Sequence, residues 1–174
     1  NVIPGELSEP KNKCVNTITT SKHPMINYWL FSVVDAKVGN SRIEALDLLG
    51  LRVKRLYWLL NSKSPHFRKV KKDDKIIFYV GGKDGRVFAG SGIISTNPRR
   101  LLPEIKRFVI EDPEDRFNYV VNLKEIELFE KARSTIPLLK SLSFVKDERN
   151  WGRYFQGSII KIGESDYRTI TQSA

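Results

Sequence analysis

Lys75–Val80 reads KIIFYV, residues 81–85 read GGKDG, and Arg86–Ser95 reads RVFAGSGIIS. Two runs rich in β-branched and aromatic residues, joined by five turn-forming residues, predict a β-hairpin. Upstream, Ile26–Val34 (INYWLFSVV) reads as a buried strand, and Asn40 or Ser41 caps a short helix through Leu49 that Gly50 ends. Downstream, residues 116–129 (RFNYVVNLKEIELF) read as one long strand or a bent pair. Thr135–Leu142 reads as a short helix with Pro137 in its first turn, Gly157–Gly163 as a last strand, and Glu164–Ile170 as a final helical turn or two. Five or six strands, short helices and antiparallel links describe an α+β domain, built as a curved sheet or small β-barrel. Residues 1–25 read differently, with three prolines, many Ser, Thr and Asn, and little apolar periodicity. They are expected to form an extended N-terminal arm or linker, leaving residues 26–174 as one domain.

Composition limits the function classes. The 174 residues are 40% hydrophobic and 29% charged, and Lys plus Arg number 30 against 20 for Asp plus Glu, a net charge of +10. This is a globular composition whose positive excess suits a polyanionic partner. No run approaches the roughly 18 apolar residues of a spanning helix, so a membrane protein is not expected. Cys14 is the one cysteine, and His23 and His66 are the two histidines. That inventory excludes a disulfide scaffold and a Cys/His zinc site, and leaves a carboxylate-only Mg²⁺ site open. With no export signal visible, a reduced, cytoplasmic protein is expected.

The charge is unevenly placed. Arg52, Lys54, Arg55, Lys63, Arg68, Lys69, Lys71 and Lys72 fall in a window of 21 residues without an Asp or Glu. Residues 101–130, by contrast, carry four basic and eight acidic groups. Segregation of this kind is the footprint of phosphate-backbone contacts, and Tyr57, Trp58 and Phe67 inside the window suit base stacking. Asn61, three residues after Trp58, can donate and accept at a base edge.

Catalytic motifs are missing from the sequence. No GxSxG, P-loop or GxGxxG occurs, and Gly81, Gly82 and Gly85 fit a hairpin turn better than a phosphate loop. Asp73-Asp74 precede a strand as turn residues, and Glu111, Asp112, Glu114 and Asp115 around Pro113 read as a solvated loop. A binding module without a cofactor is therefore expected. An enzyme acting on a nucleobase is the alternative, with Asp35, His66 or Asp166 as its acid or base; a general basic RNA-binding accessory protein is a third reading.

Several stretches together resemble the EVE domain. They are Tyr28-Trp29-Leu30-Phe31, Trp58 some thirty residues later, and Val70-Lys71-Lys72-Asp73-Asp74 leading into IIFYV and VFAGSGIIS. The C-terminal part is the most specific: Leu142-Ser143-Phe144-Val145, Trp151, Phe155-Gln156-Gly157, and Glu164-Ser165-Asp166-Tyr167 with Ile170. This part is similar to the archaeal-type branch of the family. The resemblance implies a PUA-like fold related to YTH domains, and a non-enzymatic pocket for one flipped-out modified base in DNA or RNA. It also implies a fused or associated nuclease or ATPase, since related modules sit in front of restriction ATPases. By position it implies Trp58 as the main stacking wall and Trp151 as a second, with Phe31, Ser32, Tyr79 and Val80 near the base and Trp29 in the core. Arg52, Lys54, Arg55, Lys63, Arg68, Lys69 and Lys71 are the expected contacts to the nucleic-acid backbone.

Overall fold

Residues 23–82, 85–106 and 116–173 are described by a computed structural model of the chain. The expected arm at residues 1–25 falls, except for residues 23–25, outside them, as does the acidic loop at residues 111–115.

Two strands buried on both faces organise the molecule. β1 (Tyr28–Val33) and β5 (Lys75–Val80) pair in parallel, with Tyr28 opposite Lys75 and Val33 opposite Val80. Successive side chains of a strand point to opposite faces. Trp29, Phe31 and Val33 therefore join Ile76, Phe78 and Val80 in one core layer, while Leu30 joins Ile77 and Tyr79 in another. The first layer is covered by α1 (Ala45–Lys54). The second is covered by the 3-10 helices Ile136–Ser141 and Trp151–Phe155 and by α3 (Glu164–Gln172), through Leu139, Phe155 and Ile170. Side chains buried this completely contribute about 1.5–3 kcal/mol each, so β1 and β5 anchor the fold.

The remaining strands build outward from this pair. They are β2 (Ala36–Val38), β3 (Ser41–Ile43), β4 (Tyr57–Leu60), β6 (Val87–Ile94), β7 (Arg99–Arg100), β8 (Tyr119–Ser134) and β9 (Ile159–Ile162). The order across the curled sheet is β4-β8-β6-β5-β1-β9, with β7 also paired to β8, while β2 and β3 form a separate hairpin. The predicted β5–β6 hairpin is present, and every pair except β1–β5 is antiparallel. The expected α+β class holds.

Irregularities curve the sheet. The β6–β8 register shifts twice, and Glu125 within β8 has a φ of 49°. Gly90 lies at one of these shifts, where a Cβ would sit 2.5 Å from the Glu127 carbonyl oxygen. No side chain fits there, which accounts for the small residue in the middle of VFAGSGIIS.

Four expectations are corrected. β1 begins at Tyr28 rather than Ile26. The first helix is α1, and it passes through Gly50 to Lys54, where Leu56 (φ 55°) redirects the chain. The residues expected to cap it instead form the β2–β3 hairpin. The segment after β8 folds as a 3-10 helix over Ile136–Ser141. Among the described residues, no helix is long and apolar enough to cross a membrane.

Candidate functional site

Parallel pairing brings the carboxyl ends of β1 and β5 to the same edge, the position at which open sheets commonly bind ligands. A cavity of about 640 Å³ opens there. That is within the range of about 300–1,000 Å³ typical of small-molecule sites. Ser32 and Val33 enter it from β1, Tyr79 from β5, and Leu48 and Arg52 from α1. Asn61 and Ser64 enter from the loop after β4, and Trp151 and Phe155 from their 3-10 helix. Arg86, Arg116, Phe117, Gln156 and Ser158 complete the polar and aromatic lining, and none of the described lining residues is acidic.

The aromatic wall is built on the second core layer. Tyr79 packs against Phe155 at 4.9 Å between ring centroids, and Trp151 meets Phe155 edge-on at 5.5 Å. Burial raises the Tyr79 phenol above its ordinary pKa; hydrogen bonding with Thr135 and the Arg86 charge oppose this. Tyr79 is therefore neutral at physiological pH and, 3% exposed and packed against Phe88 and Phe155, it backs the wall rather than offering a free face.

The polar groups are positioned by short loops. Asn61 Oδ1 accepts from the Lys63 amide at 2.9 Å, and its carbonyl accepts from the Ser64 amide at 3.0 Å. The hydroxyls of Ser64 and Ser158 lie 2.9 Å apart, and the Ser32 amide donates to the Ser158 carbonyl at 3.1 Å. The Ser32 hydroxyl oxygen is buried and has no hydrogen-bond partner among the described residues. An unsatisfied buried hydroxyl costs about 1–3 kcal/mol, so its presence at a cavity marks a place where a ligand can complete it.

The sequence-derived residues separate into three groups. Ser32, Asn61, Tyr79 and Trp151 are brought together in the cavity. Phe31, Trp58 and Val80 are not: all three are buried in the first core layer. Trp58 stacks on Phe78 at 5.4 Å and touches Phe31 at 5.7 Å, which leaves its ring 1% exposed. The stacking wall expected of Trp58 is thus occupied by protein.

Arg52 is likewise displaced from its expected role on a solvated face. Ala45, Leu48, Leu49 and Arg52 are the buried positions of α1, spaced as one helical stripe. Its guanidinium lies 4.7 Å above the Trp58 ring and 5.6 Å from that of Phe117, lining the cavity from within. Lys54, Arg55, Lys63, Arg68 and Lys69 are exposed, and Lys71 is half-buried. Lys63 adjoins the cavity through the Asn61 turn.

None of the three acid–base candidates lines this cavity. Asp35 accepts from the Ala45 amide at 2.9 Å and pairs with Arg42. Asp166 is buried, accepting from Ser143 and from the Gly163 amide. His66 is exposed beside Trp29. Asp74, in the expected turn, is buried and accepts from Asn27, Trp29 Nε1 and the Lys71 amide. Among the described residues no cluster of three or more His, Cys, Asp or Glu could hold a metal ion.

Sequence reasoning missed Ser64, Arg86, Arg116, Phe117, Phe155 and Ser158 as lining residues. Phe155-Gln156-Gly157 carried part of the family resemblance, and that was the one available signal for Phe155 and the adjoining Ser158.

Comparison with known proteins agrees with this architecture. Residues 27–173 match the profile of the EVE domain. A UPF0310 protein of Pyrococcus abyssi is 28% identical over 108 residues, covering 59% of this chain and 75% of that one. The N-terminal domain of Staphylothermus marinus McrB superposes with a TM-score of 0.57 at 17% identity, covering 86% of this chain and 95% of that one. Human THYN1, in complex with DNA containing 5-methylcytosine, gives 0.54 at 17% identity, covering 81% and 93%. The YTH domain of Zygosaccharomyces rouxii MRB1, in complex with N6-methyladenosine RNA, gives 0.53 at 11% identity, covering 98% and 92%. At these identities the three structures establish a shared fold.

Proposed function

The chain belongs to the EVE domain family, and from that membership we propose that it is a non-enzymatic reader of a modified, methylated base in DNA or RNA. The observation that carries this reading is the cavity at the ends of β1 and β5, with Trp151 and Tyr79 on one wall and, among its lining residues, Ser32, whose buried hydroxyl has no partner among the described residues. An aromatic wall offers about 1–3 kcal/mol of stacking per base, comparable with the few kcal/mol needed to extrude one. A methyl group adds about 0.8 kcal/mol when buried. The modified nucleic acids in the complexes of human THYN1 and the Z. rouxii YTH domain support this ligand class.

The absence of the three acid–base candidates from the lining favours recognition over reaction. The likeness to the N-terminal domain of S. marinus McrB supports a targeting role alongside a nuclease or ATPase. The exposed Lys54, Arg55, Lys63, Arg68 and Lys69 suit the phosphate backbone.

The test is binding of the chain to matched DNA and RNA oligonucleotides, unmodified or carrying N6-methyladenine, 5-methylcytosine or 5-hydroxymethylcytosine, at fixed salt. A preference for one modified oligonucleotide is expected, and Trp151→Ala should abolish it. Equal affinity for all of them would overturn the reading and leave a general basic binder.

A further inference from the structure

The turn between β5 and β6 returns at Arg86, whose φ is 64°. That left-handed conformation is costly for a side chain with a Cβ, and glycine adopts it freely. Three hydrogen bonds nevertheless hold Arg86 in it. Its amide donates to the Val80 carbonyl at 2.6 Å, and its carbonyl accepts from the Thr135 amide at 3.1 Å and the Thr135 hydroxyl at 2.5 Å. Thr135 is fully buried, so this clamp is part of the core rather than a surface accident.

The clamp aims the side chain. The Arg86 guanidinium lies 5.2 Å from the centroid of the Trp151 ring, at the cavity lining, while the residue as a whole is exposed. A guanidinium is planar, always charged, and able to grip a phosphate with two parallel hydrogen bonds. Stacked on an indole, it keeps its donors directed outward in the ring plane. Ser32 and Asn61 supply neutral donors and acceptors suited to a base edge, whereas Arg86 brings charge to the accessible side of the same cavity.

We propose that Arg86 binds the backbone phosphate next to the nucleotide held in the cavity, with Trp151 as the platform that orients it. This rests on the reading of the cavity as a nucleotide site, and it assigns to Arg86 a role in affinity distinct from the choice of base. Backbone strain retained at a charged residue is the feature that points there, since glycine at this position would relieve the strain and lose the charge.

The experiment uses the full chain with the variants Arg86→Gly and Arg86→Lys. Each is titrated across a salt series with a short single-stranded DNA carrying one 5-methylcytosine, with its unmodified counterpart, and with the corresponding RNA pair. Glycine suits the backbone conformation, so Arg86→Gly is expected to melt no lower than the unaltered chain. It should bind every oligonucleotide about tenfold more weakly at low salt, as expected for one charge-assisted contact. The salt slope should fall by about 1, and the ratio between modified and unmodified oligonucleotides should not change. Arg86→Lys should keep the slope and lose part of the affinity. Unchanged affinity and slope in Arg86→Gly would overturn the proposal, as would a change confined to the modified oligonucleotides. The slope is read on unmodified strands too, so loss of base preference as a reading leaves this test intact.

Discussion

The indole of Trp58 lies on the ring of Phe78, with centroids 5.4 Å apart and planes 19° from parallel. Arg52 covers the same indole at 4.7 Å, so the tryptophan is enclosed between β5 and α1. Trp58→Ala would therefore empty a core position, costing about 3–5 kcal/mol. Equilibrium urea unfolding measures this directly. A variant of unchanged stability that had lost only its binding would contradict the core assignment.

Ser32 makes the opposite prediction. Its hydroxyl is buried without a partner among the described residues, so Ser32→Ala should leave the free chain as stable as before or slightly more so. Affinity for the preferred oligonucleotide should nonetheless fall, by about tenfold or less for one neutral hydrogen bond. Thermal melting with and without oligonucleotide reads both effects together. If binding is untouched, the hydroxyl does not face the ligand.

Gly90→Ala tests the curvature of the sheet. The added methyl would lie 2.5 Å from the Glu127 carbonyl oxygen and 2.9 Å from Leu128 Cα, both backbone atoms of β8. Overpacking of this kind costs about 1–3 kcal/mol or more, because two strands must separate. Melting temperature should drop, and hydrogen exchange should accelerate along β6 and β8 rather than along β1.

Asp35 ties the start of α1 to the β2–β3 hairpin. Its carboxyl is held below the usual carboxylate range, first by the Ala45 amide it accepts and then by Arg42. A carboxyl lowered on folding stabilises the chain above its unfolded pKa and ceases to do so as pH falls through the folded value. Asp35→Asn should thus melt earlier than the unaltered chain at neutral pH, and the gap should close below about pH 4. A gap that persisted in acid would mean that the charge contributes nothing.

The strands at the centre were legible because burial on both faces writes itself as continuous apolar runs, as in KIIFYV. Their partners were not, since a run reports burial without naming the neighbour; the parallel β1–β5 pair had no local mark. Gly50 is too weak a stop to end α1. One glycine costs a helix about 1 kcal/mol, which the stripe of Ala45, Leu48, Leu49 and Arg52 outweighs. Continuing the helix would have turned Arg52 inward. In β4, Trp58, Leu59 and Leu60 are all buried, so no alternation separated a core tryptophan from a pocket one. Arg86, Arg116 and Phe117 reach the cavity from segments distant in sequence, and only the folded, curled sheet brings them beside Trp151.

The place of β1 between β5 and β9 has a consequence for synthesis. During translation β1 emerges before both of its partners: its inner partner β5 follows about forty-seven residues later by the Tyr28–Lys75 register, and its outer partner β9 more than a hundred residues later by the Tyr28–Ile162 register. Until Ile159–Ile162 leaves the ribosome, one edge of β1 is bare, and the segment carrying Trp151, Phe155 and Ser158 is not yet anchored to β1 by the strand that follows it. The cavity that Trp151, Phe155 and Ser158 line is thus incomplete until then, and an interrupted product would present an open strand edge rather than a complete cavity.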